Sequence, residues 1–230
     1  VEIWQEFNKD SSGKVGVITG AGEKAFCAGA DLKTYTMNFA TRKPHEFRDE
    51  FINGFGLGGI TRGLEIDKPL IAAINGYAVS GGLEIALACD LRFCSENAKF
   101  GLQDVKWGFH ACDGALVRLP HIVGMGATME MVLSGDLINA EHAKNINLVN
   151  KVFPRKELIT KTLEYAHVLA KRAPLAIKYA KQTLRHTISM PIEDALKQEV
   201  RSFYELGQSE DLAEGTKAFS ERRDAKFKGK

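Results

Sequence analysis

The chain has 230 residues, of which 44% are hydrophobic and 26% charged, with a formal net charge of +2. This composition predicts a folded globular protein with one main core and argues against disorder. The charge is nearly balanced, and basic residues are scattered except in the tail, so no footprint for nucleic acid is present. The four cysteines lie among apolar neighbours without metal-ligand spacing, and we expect reduced core thiols.

The first hundred residues predict strands separated by helices and loops. The opening "VEIWQEFNK" has a helical pattern, and residues 14–20, 68–75 and 90–96 read as strands because they alternate or form continuous apolar runs. Residues 33–66 predict a loop followed by a helix, with glycines that interrupt it. The stretch "SGGLEIALAC" predicts a short helix that begins at Ser80 or Gly81.

Residues 69–91 form the longest apolar tract, but Glu84 lies within it, which indicates a buried segment rather than a membrane span.

The second half of the chain predicts helices. The overall pattern predicts an α/β core followed by a helical C-terminal region that packs on its own chain or on a neighbour's. The helical segments are "GATMEMVLSG", "NAEHAKNINLV", "KELITKTLEYAHVLAKRA", "PLAIKYAKQTLRHT", "PIEDALKQEVRSFYELG" and "SEDLAEGTKAFSERR".

One glycine pattern imitates a nucleotide site. "GAGEKA" follows a strand and fits the dinucleotide fingerprint G-x-G-x-x-A. That fingerprint opens an amphipathic helix, whereas "FCAGADL" follows here. We therefore interpret Gly20 and Gly22 as turn residues.

Two small-residue bends and two acids indicate chemistry. The bends in "AFCAGAD" and "SGG" leave backbone N–H groups outside a ladder, and the second begins a helix whose first N–H groups have no intrahelical partner. Glu84 lies one turn after Gly81 among apolar residues, and no capping box explains it because Ser80 is four residues upstream rather than three. If Asp104 in "KFGLQDVKWG" faces the same pocket, the two carboxyl groups can hold a water and manage two proton transfers.

These residues belong to a longer resemblance. From about Lys14 to the C-terminus the chain resembles the crotonase superfamily, the enoyl-CoA hydratase/isomerase family, and residues 75–91 are the most specific part. The resemblance implies a crotonase-like ββα superhelix core over residues 1–135, without the family's first strand, and a helical trimerisation region over residues 136–230. It rests on "AFCAGADL", "KPLIAAINGYAVSGGLEIALACDLRF", "AKFGLQDVKWG", "LVRLP", "VLSGDLINAEHAKNINLVNKVFP", "RAPLAIKYAKQTL" and "SEDLAEGTKAFSERR".

The resemblance implies roles for individual residues. The N–H groups of Ala30 and Gly81 would bind the thioester oxygen as an oxyanion hole. Glu84 would take a proton from water that adds to the β-carbon, and Asp104, one methylene shorter than the family's second glutamate, would supply the proton to the α-carbon. The loop "GFHACDGA" departs from the family pattern and adds the titratable side chains of two further residues near the pocket, namely Asp113 and His110.

The resemblance also implies how coenzyme A binds. Coenzyme A is part of the substrate, and no metal or other cofactor is expected. The protein would be a homo-oligomer, a trimer or a dimer of trimers, in the cytoplasm of a prokaryote or the mitochondrial matrix of a eukaryote, without nucleic-acid or membrane partners. The implied coenzyme contacts are Lys24, Ala28, Asp31 and Leu32 around the adenine, with Phe219 and Arg222 of a neighbouring subunit near the pantetheine and phosphates.

Several activities fit this pattern. Reversible addition of water to a 2-enoyl-CoA is the leading hypothesis. The stretches "LVRLP", "SMPIEDA" and "SEDLAEG" also resemble carnitinyl-CoA dehydratases, and an enoyl-CoA isomerase could work with one main acid. A catalytically silent crotonase-fold subunit or CoA-ester-binding protein is the alternative of another class, and the aspartate at position 104 and the altered loop motivate it.

Overall fold

The computed structural model describes residues 1–37 and 41–230, which form a mixed α/β fold. The described strands are β1 (Gly16–Thr19), β2 (Ala25–Cys27), β3 (Leu70–Ile74), β4 (Tyr77–Val79), β5 (Leu91–Ser95), β6 (Lys99–Gly101), β7 (Ile138–Asn139) and β8 (Lys151–Phe153). The described helices are α1 (Glu2–Lys9), α2 (Pro44–Phe47), α3 (Gly81–Ala88), α4 (Ala115–Ser134), α5 (Ala140–Asn145), α6 (Leu158–Ala170), α7 (Pro174–Thr187), α8 (Ile192–Leu206) and α9 (Glu210–Glu221).

The first six strands alternate between two sheets. In one sheet the described strands have the order β1-β3-β5-β8 and are all parallel. In the other they have the order β2-β4-β6-β7, and only the pair β6–β7 is antiparallel. This repetition is the predicted ββα superhelix, and both sheets take strands from either side of residue 135.

Strand β3 shows why the apolar run after Lys68 is uninterrupted. All of its residues are buried. Leu70, Ala72 and Ile74 join the main core, whereas Ile71 and Ala73 face a second core against α6. Because successive side chains of a strand point to opposite faces, a parallel strand that is covered on both faces must be apolar at every position.

Most of the predicted elements are confirmed. Strands β1, β3 and β5 lie within the three predicted segments, and α3 occupies the predicted short helix. No helix follows "GAGEKA", because the next described element is strand β2 from Ala25. The chain therefore has no strand–turn–helix setting at this glycine pattern, as we expected.

Three predictions differ from the structure. The helix predicted from residue 139 to 149 ends at Asn145, because Asn147 has a left-handed φ of 63° that turns the chain towards β8. Residues 33–66 contain α2 together with π-helical and 3₁₀ turns instead of a loop and one helix, and residues 38–40 lie outside the described residues. Cys112 is exposed, so it is not a core thiol.

Helix α4 is the one described helix that is long and apolar enough to cross a membrane by length and composition. It is not straight, because Gly124 has a φ of 80° and a ψ of 162° inside it. Each half therefore has about ten residues, and a membrane span needs about 20.

Candidate active site

Glu84 is buried on α3 and lines a cavity of about 460 Å³. Its Oε1 accepts hydrogen bonds from the backbone N–H groups of Asp113 at 2.6 Å and Ala115 at 3.1 Å. Burial raises the pKa of the Glu84 carboxyl from 4.5 to about 7; the two N–H donors oppose this rise, and the negative charges of Asp113 and Asp104 add to it. Glu84 can therefore exchange a proton near neutral pH.

Two backbone N–H groups lie side by side at the same cavity. Ala30 and Gly81 both line it, and a Cβ built on Gly81 would lie 3.7 Å from the amide nitrogen of Ala30. Neither N–H donates a hydrogen bond to another described residue. The same built Cβ would lie 2.5 Å from Cδ1 of Leu57, so a larger residue at position 81 must displace Leu57. The fold thus brings together the two bends that the sequence singled out.

Ser80 directs the chain into α3. It has a φ of 50° and a ψ of −119°, a conformation that residues other than glycine rarely adopt. Its N–H donates to the carbonyl of Gly101 at 2.9 Å, and its side chain makes no capping hydrogen bond. No capping box therefore accounts for Glu84, and the strained residue lies immediately before one of the free N–H groups, where strain is often found in functional sites.

Asp104 shares the cavity with Glu84. It lies in the 3₁₀ turn Gln103–Trp107 after β6 and exposes 6% of its surface. Its Oδ2 is buried and accepts no hydrogen bond from any described residue. Leaving a buried polar atom unpaired costs about 1–3 kcal/mol, so such atoms are rare, and a catalytic role is one of the recognised reasons for them. The unpaired oxygen can accept a proton or a polar ligand group.

The two additional titratable residues differ in their surroundings, although both line the cavity. Asp113 is buried, and its Oδ1 accepts a hydrogen bond from the hydroxyl of Thr61 at 2.8 Å and lies 3.0 Å from Nε of Arg62. His110 is exposed, and its Nδ1 lies 2.9 Å from the carbonyl oxygen of Ala111. Asp113 is thus part of a buried network, whereas His110 is not.

The residues expected around the adenine divide into two groups. Ala28 and Leu32 line the cavity. Lys24 is exposed and does not line it, and Asp31 accepts a hydrogen bond from the backbone N–H of Lys33 at 2.9 Å, which caps the following turn. Two of the four expected residues therefore contact the cavity directly.

The residues expected from a neighbouring subunit lie on or just after α9. Phe219 exposes 88% of its surface, and Arg222 follows the helix with a left-handed φ of 53°. Neither lines the cavity of its own chain. Their contribution to a partner's site stays a prediction.

The sequence did not identify the remaining walls of the cavity. They include the rings of Tyr35, Phe47, Trp107 and Phe109. Local sequence patterns also did not indicate that backbone N–H groups at the start of α4, those of Asp113 and Ala115, would donate to Glu84. A buried carboxylate needs donors, but the sequence around it does not show which residues provide them. Among the described residues no cluster of three His, Cys, Asp or Glu side chains could hold a metal ion.

Known proteins resemble the chain over its whole length. The model of the family described as "Enoyl-CoA hydratase/isomerase" matches residues 1–230. Carnitinyl-CoA dehydratase of Escherichia coli K12 is 39% identical over 234 residues, which cover 100% of this chain and 87% of that protein. The corresponding protein of Salmonella enteritidis is 38% identical with the same coverage.

Solved structures give the same result. An enoyl-CoA hydratase from Bacillus anthracis superposes with a TM-score of 0.88 at 34% identity, covering 100% of this chain and 86% of the other. An enoyl-CoA hydratase from Mycobacterium tuberculosis superposes with a TM-score of 0.86 at 31% identity, with the same coverage. The fold, the cavity between α3 and the loops around it, and the full-length match agree: the chain belongs to the enoyl-CoA hydratase/isomerase family.

Proposed function

We propose that the protein catalyses the reversible addition of water to a 2-enoyl-CoA thioester, and equally the elimination of water from a 3-hydroxyacyl-CoA. The observation that carries this proposal is the buried Glu84, with a pKa of about 7, in the same cavity as the free N–H groups of Ala30 and Gly81. A proton-transfer group and a pair of donors for a developing negative oxygen are what this chemistry requires.

The N–H groups of Ala30 and Gly81 bind the thioester carbonyl oxygen. Addition of a nucleophile at the β-carbon moves negative charge onto that oxygen, and fixed donors stabilise the charge more strongly than they stabilise the neutral carbonyl. By analogy with other oxyanion holes, each donor contributes about 3–4 kcal/mol. The N-terminus of α3, where Gly81 lies, adds the favourable end of the helix dipole.

The two carboxyl groups move the protons. In hydration, the water oxygen forms a bond to the β-carbon while Glu84 takes the proton of that water, and Asp104 supplies a proton to the α-carbon. In dehydration, Asp104 takes the α-proton and Glu84 protonates the departing hydroxyl. A carboxyl whose pKa is about 7 is partly protonated at neutral pH, so Glu84 can serve both directions.

The coenzyme A part of the substrate would be held by two subunits. We propose that Lys24, Ala28, Asp31 and Leu32 surround the adenine, and that the assembly is a trimer or a dimer of trimers. The reaction transfers no electrons, so it requires no redox group. The relatives named above are bacterial, which favours the cytoplasmic alternative. From the neighbouring subunit, the residues near the pantetheine and phosphates would be Phe219 and Arg222.

Dehydration of a carnitinyl-type thioester is the second candidate. Carnitine carries a quaternary ammonium group, which aromatic faces attract by cation–π interaction. The cavity has the rings of Tyr35, Phe47, Trp107 and Phe109 in its wall, together with the unpaired oxygen of Asp104. The names of the relatives given above favour the same substrate class.

Turnover of crotonyl-CoA tests the proposed chemistry. Hydration removes the conjugated thioester, so its ultraviolet absorbance falls with time. We expect Glu84→Gln to abolish this loss, because glutamine cannot take a proton from water. Glu130→Gln replaces an exposed glutamate on α4 and is the matched control, which we expect to retain wild-type turnover.

The substrate panel separates the alternatives. Faster turnover of carnitinyl-CoA than of 3-hydroxybutyryl-CoA would favour the second candidate. Conversion of a 3-enoyl-CoA without hydration of crotonyl-CoA would indicate an isomerase and contradict the proposal. Binding of these esters without any conversion would indicate the catalytically silent alternative.

A further inference from the structure

Asp113 joins two segments that border the cavity. Through its backbone N–H it donates to Oε1 of Glu84 at 2.6 Å. Through its buried carboxylate it contacts residues 57–62, the segment that begins with Leu57. Leu57 in turn packs against Gly81, since a Cβ on that glycine would lie 2.5 Å from Cδ1 of Leu57. One residue is therefore connected both to the candidate proton-transfer group and to the side chain that packs against Gly81.

The carboxylate contacts are specific and almost fully buried. Oδ1 of Asp113 accepts hydrogen bonds from the hydroxyl of Thr61 at 2.8 Å and from the N–H of Leu57 at 3.4 Å, and it lies 3.0 Å from Nε of Arg62. A Cβ on Gly56 would come within 2.4 Å of the same oxygen, so a residue with a side chain could not allow this approach. The site is thus built around the Asp113 carboxylate.

A second cross-link runs through the backbone of the same two segments. Arg118 of α4 donates from one guanidinium nitrogen to the carbonyl of Asp113 at 3.3 Å and from the other to the carbonyl of Thr61 at 2.7 Å. The planar fork of arginine fixes both acceptors in one geometry. Side chain and main chain of Asp113 are therefore both held relative to Thr61.

We propose that Asp113 is a positioning residue, which fixes the Glu84 carboxyl and the Leu57 side chain against the reacting substrate by anchoring residues 57–62 to the loop before α4. The proposal rests on the proposed role of Glu84. Small misplacements of a reacting group lower rates by as much as about 100-fold, so a residue that positions Glu84 without taking part in the proton transfer can have a large effect on turnover.

Two opposing effects on Glu84 distinguish anchoring from direct chemistry. The N–H donors lower the pKa of Glu84, and the negative charge of Asp113 raises it. Loosening the anchor while keeping the charge should therefore raise the pKa of Glu84, whereas removing the charge while keeping the shape should lower it. The titratable and charged groups that surround Glu84 or share its cavity are Tyr35, Asp104, His110, Cys112, Asp113 and Arg118.

Thr61→Val is the main test, because Thr61 anchors Asp113 but does not line the cavity. We expect kcat for crotonyl-CoA to fall about tenfold with KM changed less than about twofold, and the acidic limb of the kcat/KM profile to move to higher pH. Thr61→Ser keeps the hydroxyl, so its kcat and the position of its acidic limb should equal those of wild type. Thr162→Val removes an equally buried hydroxyl on α6, which donates to the carbonyl of Leu158, and should leave both values unchanged.

Asp113→Asn is the second test and also decides the matter if Thr61→Val does not fold. The amide oxygen still accepts from Thr61, so we expect kcat within about fivefold of wild type and an acidic limb moved to lower pH. Inactivity of Asp113→Asn equal to that of Glu84→Gln would overturn the proposal, because Asp113 would then act in the chemistry itself. A folded Thr61→Val with wild-type kcat and pH profile would overturn it as well.

The two levels of proposal fail in different ways. If wild type does not convert crotonyl-CoA or any related ester, the proposed function is wrong. If wild type is active and Glu84→Gln is not, while Thr61→Val behaves as Thr162→Val does, only the positioning role is wrong.

Discussion

The buried carboxylate of Glu84 should destabilise the folded protein at neutral and alkaline pH. Its pKa rises from 4.5 to about 7 on folding, chiefly through burial. At about 1.36 kcal/mol per pKa unit, keeping this group ionised in the fold costs about 3 kcal/mol. A group whose pKa is raised on folding contributes most stability below its unfolded value, here below about pH 4.5, and loses that contribution as the pH rises through about 7.

Glu84→Gln should remove this pH dependence. Glutamine keeps an oxygen that can accept from the N–H groups of Asp113 and Ala115, but it does not ionise. We expect the free energy of unfolding of the variant, minus that of wild type, to increase by about 2–3 kcal/mol between pH 4.5 and pH 8.5. The new amide N–H groups change the stability of the variant by an amount that does not depend on pH. The prediction therefore concerns how the difference in unfolding free energy changes with pH, and not its absolute value.

Urea unfolding across this pH range measures the slope. Protein concentration is held fixed, because an oligomer gains stability by mass action. Glu130→Gln, at an exposed position, should give a difference near zero at every pH. If the difference for Glu84→Gln is also flat with pH, the carboxyl is as well solvated in the fold as in the unfolded chain, and the reasoning from burial is refuted.

Three further substitutions test other parts of the cavity. Gly81→Ala places a methyl group 2.5 Å from Leu57 and 3.7 Å from the amide nitrogen of Ala30. We therefore expect kcat/KM in steady-state assays to fall at least about 100-fold, and a loss below tenfold would contradict the oxyanion role. Asp104→Asn should slow hydration at least tenfold with less than about threefold change in ester affinity by calorimetry; unchanged turnover would remove Asp104 from the proton transfers. Trp107 is 67% exposed, so Trp107→Ala should change the free energy of unfolding by less than about 0.5 kcal/mol. The same substitution should raise KM for carnitinyl-CoA more than KM for crotonyl-CoA, and equal changes in the two KM values would argue against a cationic substrate.

The local pattern of the sequence predicted element types well. Strand β3 and helix α3 could be read because an unbroken apolar run and a helix start after two glycines both depend on neighbours in sequence. The error at residues 33–66 has a physical cause. This segment winds through short π and 3₁₀ turns around the cavity, and its glycines adopt positive φ at Gly56, Gly58 and Gly59, so no single period describes it.

Only part of the candidate site could be predicted from local sequence patterns. Glu84 and Gly81 stood out because a carboxylate in an apolar helix and a helix start with free N–H groups are local anomalies. The first bend and Asp104 were also noted in the sequence, but only the family resemblance selected Ala30 within that bend and assigned Asp104 to the proton transfer. The aromatic wall was missed, because an isolated ring in a loop such as Trp107 has no neighbour in sequence that indicates what it faces.

The sequence by itself determined that a carboxyl group would lie one turn after a helix start in a buried segment. Only the tertiary structure decided which groups hold it, namely the N–H donors of Asp113 and Ala115. The carboxylate of Asp113 in turn accepts a hydrogen bond from Thr61. The physical reason is separation along the chain. Strand and helix patterns arise between residues a few positions apart, whereas these partners are far apart in the sequence and come into contact only in the folded chain. The loops in which they lie have no hydrophobic period from which the contact could be predicted.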